Sequence, residues 1–194
     1  MQNNWIRWKL FWILMSYNFL KWIIKSRKAP LPYLLKRKIL IDYINKYNLV
    51  YFVETGTCFG DMLNGVKDSV KKSYSIEIDK TLYKCAIQRF KNDKSVSCKH
   101  GDSAIELEEI IKNVDKPTLF YLDAHYSGQG TGRGESDTPL LRELELLLNL
   151  EFENHVILID DARHLGLGDY PHLSKISDLV KKISNLNIYN KDDI

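Results

Sequence analysis

The chain has 194 residues, enough for one sizeable hydrophobic core but few for two. Its charge is uneven, because residues 1–40 hold nine Lys or Arg and no acid, whereas the remainder carries more acids than bases. A nucleic-acid-binding domain would spread its cations over the folded part, so this distribution argues against nucleic acid as a partner. The three cysteines form no CxxC pair, which argues against a disulfide framework or a zinc site and favours the reducing cytoplasm.

Residues 1–32 form a basic, Trp-rich segment, which two prolines separate from a domain predicted over 33–194. Its apolar run is interrupted by basic residues and is too short for a transmembrane helix, which needs about 20 apolar residues. No small-residue cleavage site follows the run, as a secretory signal would require. The segment is therefore predicted neither to cross a membrane nor to direct secretion.

Two interpretations of this segment stay open. Residues 5–28 can form an interfacial helix on the inner face of an anionic membrane, with the basic residues Lys36, Arg37 and Lys38 also facing the lipid. Alternatively, the helix packs on a partner subunit or covers the active site.

After the prolines, helical periodicity predicts a first helix at 34–47. Short β-rich runs then alternate with longer helical patterns. The predicted strands are 50–54, 73–78, 95–99, 118–123 and 155–160, and the predicted helices lie near 60–70, 80–91, 103–113, 139–149 and 172–184. This alternation predicts an α/β, Rossmann-like, doubly wound and mostly parallel sheet with helices on both faces. Ligands of such sheets bind beyond the carboxyl ends of the strands.

Residues suited to a nucleoside cofactor follow the first three strands. Gly56 and Gly60, in ETGTCFGD, would let the backbone turn sharply and approach a ligand, although a purely structural turn has the same composition. Glu77 ends the second strand, where a carboxylate can accept both hydroxyls of a ribose. Asp102 and Ser103 follow the third strand, where either could reach an adenine amino group or simply cap the next helix.

Three acids follow the fourth and fifth strands. Asp123 ends one strand, and Asp160 and Asp161 end the other. Carboxylates placed together in this way repel one another unless they are protonated or bridged by a cation. Oxygen ligands favour Mg²⁺, with Mn²⁺ or Ca²⁺ as alternatives, although aspartates at strand ends can also cap helices and turns.

His125 is the best candidate for a catalytic base, because the ordinary pKa of histidine suits proton removal at neutral pH. A loop or supporting role is the alternative. The next residues, 126–138, contain four glycines and predict either a mobile lid or a spacer.

The motifs ETGTCFG, SIEID, HGDS, YLDAH and LIDDA, in this order and at these intervals, resemble class I S-adenosylmethionine (SAM) methyltransferases. The likeness covers roughly residues 50–190, although ETGT departs from the usual first motif. It is closest to the metal-dependent O-methyltransferases of the catechol and macrocin types and to small methyltransferase-like proteins of bacterial surface-polysaccharide clusters. The resemblance implies a SAM site made by Glu54, Gly56, Thr57, Gly60, Glu77, Asp102, Ser103 and Asp123.

The resemblance also implies a metal held by Asp123, Asp160 and Asp161 and methyl transfer to a hydroxyl of a sugar, a glycan or a small diol. One alternative is a nucleotide-sugar or dinucleotide enzyme that uses the same Glu77 site. Another is a non-catalytic, membrane-associated scaffold of polysaccharide synthesis. A full domain of this class ends in a hairpin of two strands, and residues 187–189 can supply one of them. The hairpin is therefore minimal, completed by a partner such as a second copy, or truncated.

Overall fold

The computed structural model describes residues 4–24, 30–124, 138–150, 154–182, 188–189 and 193–194. The helices are α1 (Asn4–Ile24), α2 (Tyr33–Tyr47), α3 (Asp61–Val66), α4 (Lys80–Phe90), α5 (Ser103–Ile111), α6 (Leu140–Leu148) and α7 (Leu173–Val180). The strands are β1 (Tyr51–Thr55), β2 (Lys72–Glu77), β3 (Val96–His100), β4 (Thr118–Leu122) and β5 (Val156–Ile159). Short 3₁₀ turns occupy Lys67–Ser69 and Ala162–His164.

Within the described part of the chain, these strands form one parallel sheet in the order β3-β2-β1-β4-β5. The chain runs outward from β1 to β3 on one side and then returns to β4 and β5 on the other. The order reverses between β1 and β4, so a crevice opens beyond their carboxyl ends. The predicted α/β class and parallel sheet are confirmed.

Helices cover both faces of the sheet because neighbouring strand residues point in opposite directions. On one face, Val53 and Phe120 pack in a core that also includes Leu107 of α5 and Leu144 of α6. On the other face, a second core contains buried residues from α2, α3 and α4, together with Phe52, Leu119 and Tyr121. The apolar runs of β1 and β4 therefore supply both cores, as expected of a doubly wound sheet.

Helix α2 is bound to the domain by its basic residues. Lys36 forms an ion pair with Asp160, and Arg37 Nε donates to the carbonyl of Gly65 at 2.9 Å. Lys38 forms an exposed pair with Asp42 in the next turn of the helix. The prediction that these three cations face lipid is wrong for Lys36 and Arg37, because both are engaged by the domain itself.

Helix α1 precedes this contact and exposes apolar side chains, among them Leu20 and Ile24. No helix among the described residues has both the length and the apolar character needed to cross a membrane. Lipid association of residues 5–28 and the boundary near residue 32 stay predictions.

The predicted strand near the end of the chain is only partly described. Ile188 and Tyr189 have no strand conformation, and Asn187 lies outside the described residues. Asp193 lies beside the 3₁₀ turn that follows β5, where its carbonyl accepts a hydrogen bond from Ala162 N at 3.0 Å and its carboxylate pairs with Arg163.

Candidate active site

The predicted site residues that the structure describes lie at one edge of the sheet. Glu54 and Glu77 come from β1 and β2, and Asp123 and Asp160 directly follow β4 and β5. The parallel register brings these carboxyl ends together at the crevice between β1 and β4. His125 and the glycine-rich segment after it, through residue 137, lie outside the described residues, so the predicted base and lid stay predictions.

The turn after β1 depends on Gly56. Its φ is +86°, a conformation that residues with a side chain rarely adopt, and its amide donates to the Ile76 carbonyl at 2.9 Å. A Cβ at this position would lie 2.6 Å from the carbonyl oxygen of Asp123. Gly56 therefore lets the ends of β1, β2 and β4 approach one another at the crevice.

Gly60 ends the same turn and precedes α3. Its φ is +71°, and a Cβ there would lie 2.9 Å from the Phe90 ring. Between the glycines, Thr57 is buried, and its hydroxyl shares a hydrogen bond of 2.6 Å with Ser75. The turn from Gly56 to Gly60 therefore packs against Phe90 of α4 and is hydrogen-bonded to Ser75 of β2.

Glu77 is held in one orientation at the end of β2. Its two carboxylate oxygens accept hydrogen bonds from the amides of Cys58, at 2.7 Å, and Asp79, at 2.8 Å. Only 4% of the residue is exposed. Burial raises the pKa of this carboxyl above its ordinary value, and the two amide hydrogen bonds oppose the rise. The carboxylate therefore faces the glycine turn as a fixed acceptor.

Glu54 lies deeper, at the end of β1. It is fully buried, and the hydroxyl of Ser75 donates to its carboxylate at 2.8 Å. Burial raises its pKa well above the ordinary value, against the Ser75 hydrogen bond and with a further contribution from Asp123. Glu54, Ser75 and Thr57 form a buried polar network beneath the turn.

The sequence motif after β3 has a structural role in addition to any contact with a cofactor. Asp102 is the N-cap of α5 and accepts a hydrogen bond from Ala104 N at 2.9 Å, which confirms the capping alternative for this residue. Ser103 is the first residue of the helix, not its cap, and is buried against Glu143. An adenine contact stays a prediction for both.

Glu143 is a buried acid that the sequence analysis did not single out. It lies on α6 and is 1% exposed, and its carboxylate faces Ser103 and Thr55 at the end of β1, while Oε1 is buried without a hydrogen-bond partner among the described residues. Burial raises its pKa to about 7. A signal was present, since Glu143 lies three residues after Leu140 and four before Leu147, on the apolar side of an amphipathic helix.

Glu143→Gln is expected to stabilise the protein at alkaline pH relative to the unmodified chain. Because the folded-state pKa is raised above the unfolded one, the stabilisation linked to the bound proton is complete at acid pH and is lost as pH rises through about 7. The free energy of unfolding of Glu143→Gln, relative to that of the unmodified chain, should therefore rise by on the order of 3 kcal/mol between about pH 5 and pH 9. Urea unfolding across this range measures it. Glu145→Gln, an exposed neighbour on α6, is the control, and a difference independent of pH for Glu143→Gln would contradict the prediction.

The two acids after β5 are bridged by a lysine. Nζ of Lys36 lies 2.5 Å from Oδ2 of Asp160 and 3.3 Å from Oδ1 of Asp161. The hydroxyl of Tyr121 also donates to Oδ2 of Asp160. The other carboxylate oxygen of Asp160, Oδ1, accepts a hydrogen bond from the Asp161 amide at 2.8 Å. Arg163 supplies a second cation to Asp161, at 2.7 Å.

The bridging lysine stays charged. Burial lowers the pKa of Lys36, but the charges of Asp160, Asp161 and Asp123 outweigh this effect, so that the pKa lies above the ordinary value. The three predicted acids therefore converge electrostatically on one ammonium group. The sequence predicts a bridging cation, and in the structure the chain itself supplies it.

These contacts test whether the acids fit a metal ion. The described residues contain no group of three His, Cys, Asp or Glu arranged to hold one. Asp160 uses both oxygens, one for its neighbour's amide and the other for Tyr121 and Lys36. A divalent cation would have to displace Lys36, so the residues in this arrangement do not fit the Mg²⁺ or Mn²⁺ that the resemblance implies.

Comparison with known proteins shows which fold this is. The chain is similar to a SAH-bound methyltransferase, PaMTH1 of Podospora anserina, with a TM-score of 0.58 and 14% identity over 99% of this chain and 94% of that one. It is also similar to the SAM-bound O-methyltransferase TomG of Streptomyces achromogenes, involved in tomaymycin synthesis, with a TM-score of 0.57 and 13% identity over 82% and 71% of the two chains. Neither a protein-family model nor a curated protein matches the sequence. The chain has the Rossmann-like fold of class I SAM methyltransferases.

Proposed function

We propose that this chain, with the fold of class I methyltransferases, binds SAM and transfers its methyl group to a hydroxyl of an acceptor. The observation that carries the proposal is the pairing of Gly56 and Glu77 at the crevice between β1 and β4. The glycine lets the backbone turn sharply and lets the end of β4 approach the turn, and the fixed carboxylate beside it is an acceptor suited to two ribose hydroxyls. The phosphate-binding GxGxxG of dinucleotide enzymes does not occur at this turn, which disfavours that alternative.

Each part of the site has a task in this reaction. Bound SAM supplies a methyl carbon on a positively charged sulfur. In this assignment the turn between Gly56 and Gly60 would hold the methionine portion of SAM and Glu77 would hold the ribose, at the same edge of the sheet as the acids after β4 and β5. The acceptor oxygen must lie in line with that methyl group, and its proton must pass to a base, a role that we assign to His125. No step here is assigned to a metal ion, because Lys36 occupies the position between Asp160 and Asp161.

The acceptor and the location are further parts of the proposal. A sugar or glycan hydroxyl is preferred over a phenol because of the resemblance to proteins of polysaccharide clusters. We place the protein in the cytoplasm, at the inner face of the membrane, with residues 5–28 contacting anionic lipid. The exposed apolar residues of α1 support this placement. Association of copies through the β5 edge is also proposed.

Titration of SAM into the purified chain tests the proposal. Micromolar binding is expected, and Glu77→Gln should weaken it by about 10- to 100-fold, because hydrogen bonds to a charged acceptor contribute about 1.5–3 kcal/mol. Isothermal calorimetry measures both affinities. Glu108→Gln, an exposed acid on α5, should bind SAM as the unmodified chain does. Absence of SAM binding in the folded protein would leave the non-catalytic scaffold as the better hypothesis.

A further inference from the structure

We propose that the ammonium group of Lys36 is the resident cation of the acid pair Asp160 and Asp161, and that it replaces a divalent metal at this site. The lysine comes from α2, ahead of the domain's first strand, and bridges both carboxylates. The side chains of the two acids are 1% and 8% exposed and that of the lysine is 15% exposed. A buried acid pair needs such a partner, since unpaired charges in a protein interior are costly.

Two cations already lie against the pair. Lys36 contacts both acids, and Arg163 is shared between Asp161 and Asp193. The hydroxyl of Tyr121 completes the hydrogen bonding of Asp160. A divalent ion added to this cluster would meet two cations at close range. Binding of the ion would therefore require one of them to leave.

Lys36 is held in place by its own helix. One turn before it, the hydroxyl of Tyr33 donates to the Asp61 carbonyl at 2.8 Å. The next residue, Arg37, donates to the Gly65 carbonyl at 2.9 Å. Both contacts fasten this end of α2 to α3, so the backbone that carries Lys36 is fixed beside the acids.

The position of Lys36 also suggests its role in the reaction, and this step rests on the proposed function. An ammonium group has three N–H donors, of which two are directed at Asp160 and Asp161. The third donor can bind the acceptor oxygen. A fixed positive charge there would stabilise the negative charge that develops on this oxygen as its proton leaves, which is the task a metal performs in metal-dependent enzymes.

Titration of Mn²⁺, followed by the loss of the free-ion signal in electron paramagnetic resonance, tests the inference on the full chain. The unmodified protein is expected to show no saturable site below about 1 mM, the weak end of protein cation sites. Lys36→Ala should create one site at least about tenfold tighter. The double variant Lys36→Ala, Asp160→Asn should lose the new site, and Lys38→Ala, which removes an exposed cation paired with Asp42, should behave as the unmodified protein.

Two results would overturn the inference. The first is one saturable Mn²⁺ site in the unmodified protein that Asp160→Asn abolishes, and this result stands even if Lys36→Ala does not fold. The second is a folded Lys36→Ala protein that gains no site. SAM is titrated into the same samples, so a failure to bind SAM counts against the proposed function and leaves the Mn²⁺ result to be judged separately.

Discussion

Replacing Lys36 by alanine is expected to lower the free energy of unfolding by about 3–5 kcal/mol, the usual cost of removing one partner of a buried ion pair. The variant leaves Asp160, which is 1% exposed as a side chain, without the cation that lies 2.5 Å away, and removes one of the cations paired with Asp161. The loss is therefore mainly the cost of a buried charge without compensation. Urea unfolding at neutral pH, with the same probe for all variants, measures it.

Two variants separate this effect from a general loss of charge on α2. Lys38→Ala removes an exposed pair on the same helix and should change stability by less than about 0.5 kcal/mol. The double variant Lys36→Ala, Asp160→Asn removes both charges and should recover much of the lost stability. If Lys36→Ala and Lys38→Ala were equally stable, the buried pair would have no special role in the fold.

Gly56→Ala is the second change with a large expected effect. It should destabilise the protein by about 2–4 kcal/mol for two reasons. Alanine is strained in the left-handed conformation of this residue, and its Cβ would contact the backbone that follows β4. The new Cβ would lie 2.6 Å from the backbone oxygen of Asp123, and backbone cannot move aside as a flexible side chain could. The turn would have to shift, so SAM affinity should fall along with stability. Thermal unfolding and calorimetric SAM titration measure the two effects.

Gly168 provides the matched control for this substitution. Its φ is +55°, but a Cβ there would meet nothing within 4 Å. Gly168→Ala should therefore cost only the backbone strain, about 1 kcal/mol, and leave SAM binding unchanged. Equal losses of stability in the two variants would show that the contact between the added Cβ at position 56 and the Asp123 carbonyl does not contribute to the destabilisation.

The fold was largely predictable because its signals are local. Each strand is a short run that contains β-branched or aromatic residues, and each predicted strand end agrees with the structure within one residue. Parallel strands bring their carboxyl ends to one edge, so the convergence of Glu77, Asp123 and Asp160 followed from their order along the chain alone.

The cation of the site was not predictable in the same way. Lys36 lies 124 residues before Asp160, within a run of three basic residues that gives no sign of which one is buried. Its neighbour Arg37 bonds to a backbone carbonyl, and Lys38 remains at the surface. Only the rotation and docking of α2 distinguish the three, and neither is encoded in local composition.

Glu143 was missed for a different reason. A single acid on the apolar side of a helix is normally placed at the edge of the buried stripe, where its carboxylate reaches solvent. Here the carboxylate of Glu143 lies inside the domain beside Ser103 and Thr55, which belong to other elements of the chain. The residues that surround a buried acid come from distant parts of the chain. The helical pattern could therefore indicate that Glu143 faces the core, but not which residues it contacts there.

The bridge between α2 and the end of β5 also constrains when the site can form during synthesis. The two residues it joins are separated by most of the sheet, so their pairing closes one of the longest loops in the domain and carries the corresponding entropic cost. A nascent chain from which β5 has not yet emerged can hold the Gly56 turn and Glu77, but it lacks Asp160 and Asp161, the two acids that Lys36 bridges. The half of the crevice that would receive the acceptor is therefore assembled last, after the half that would hold the cofactor.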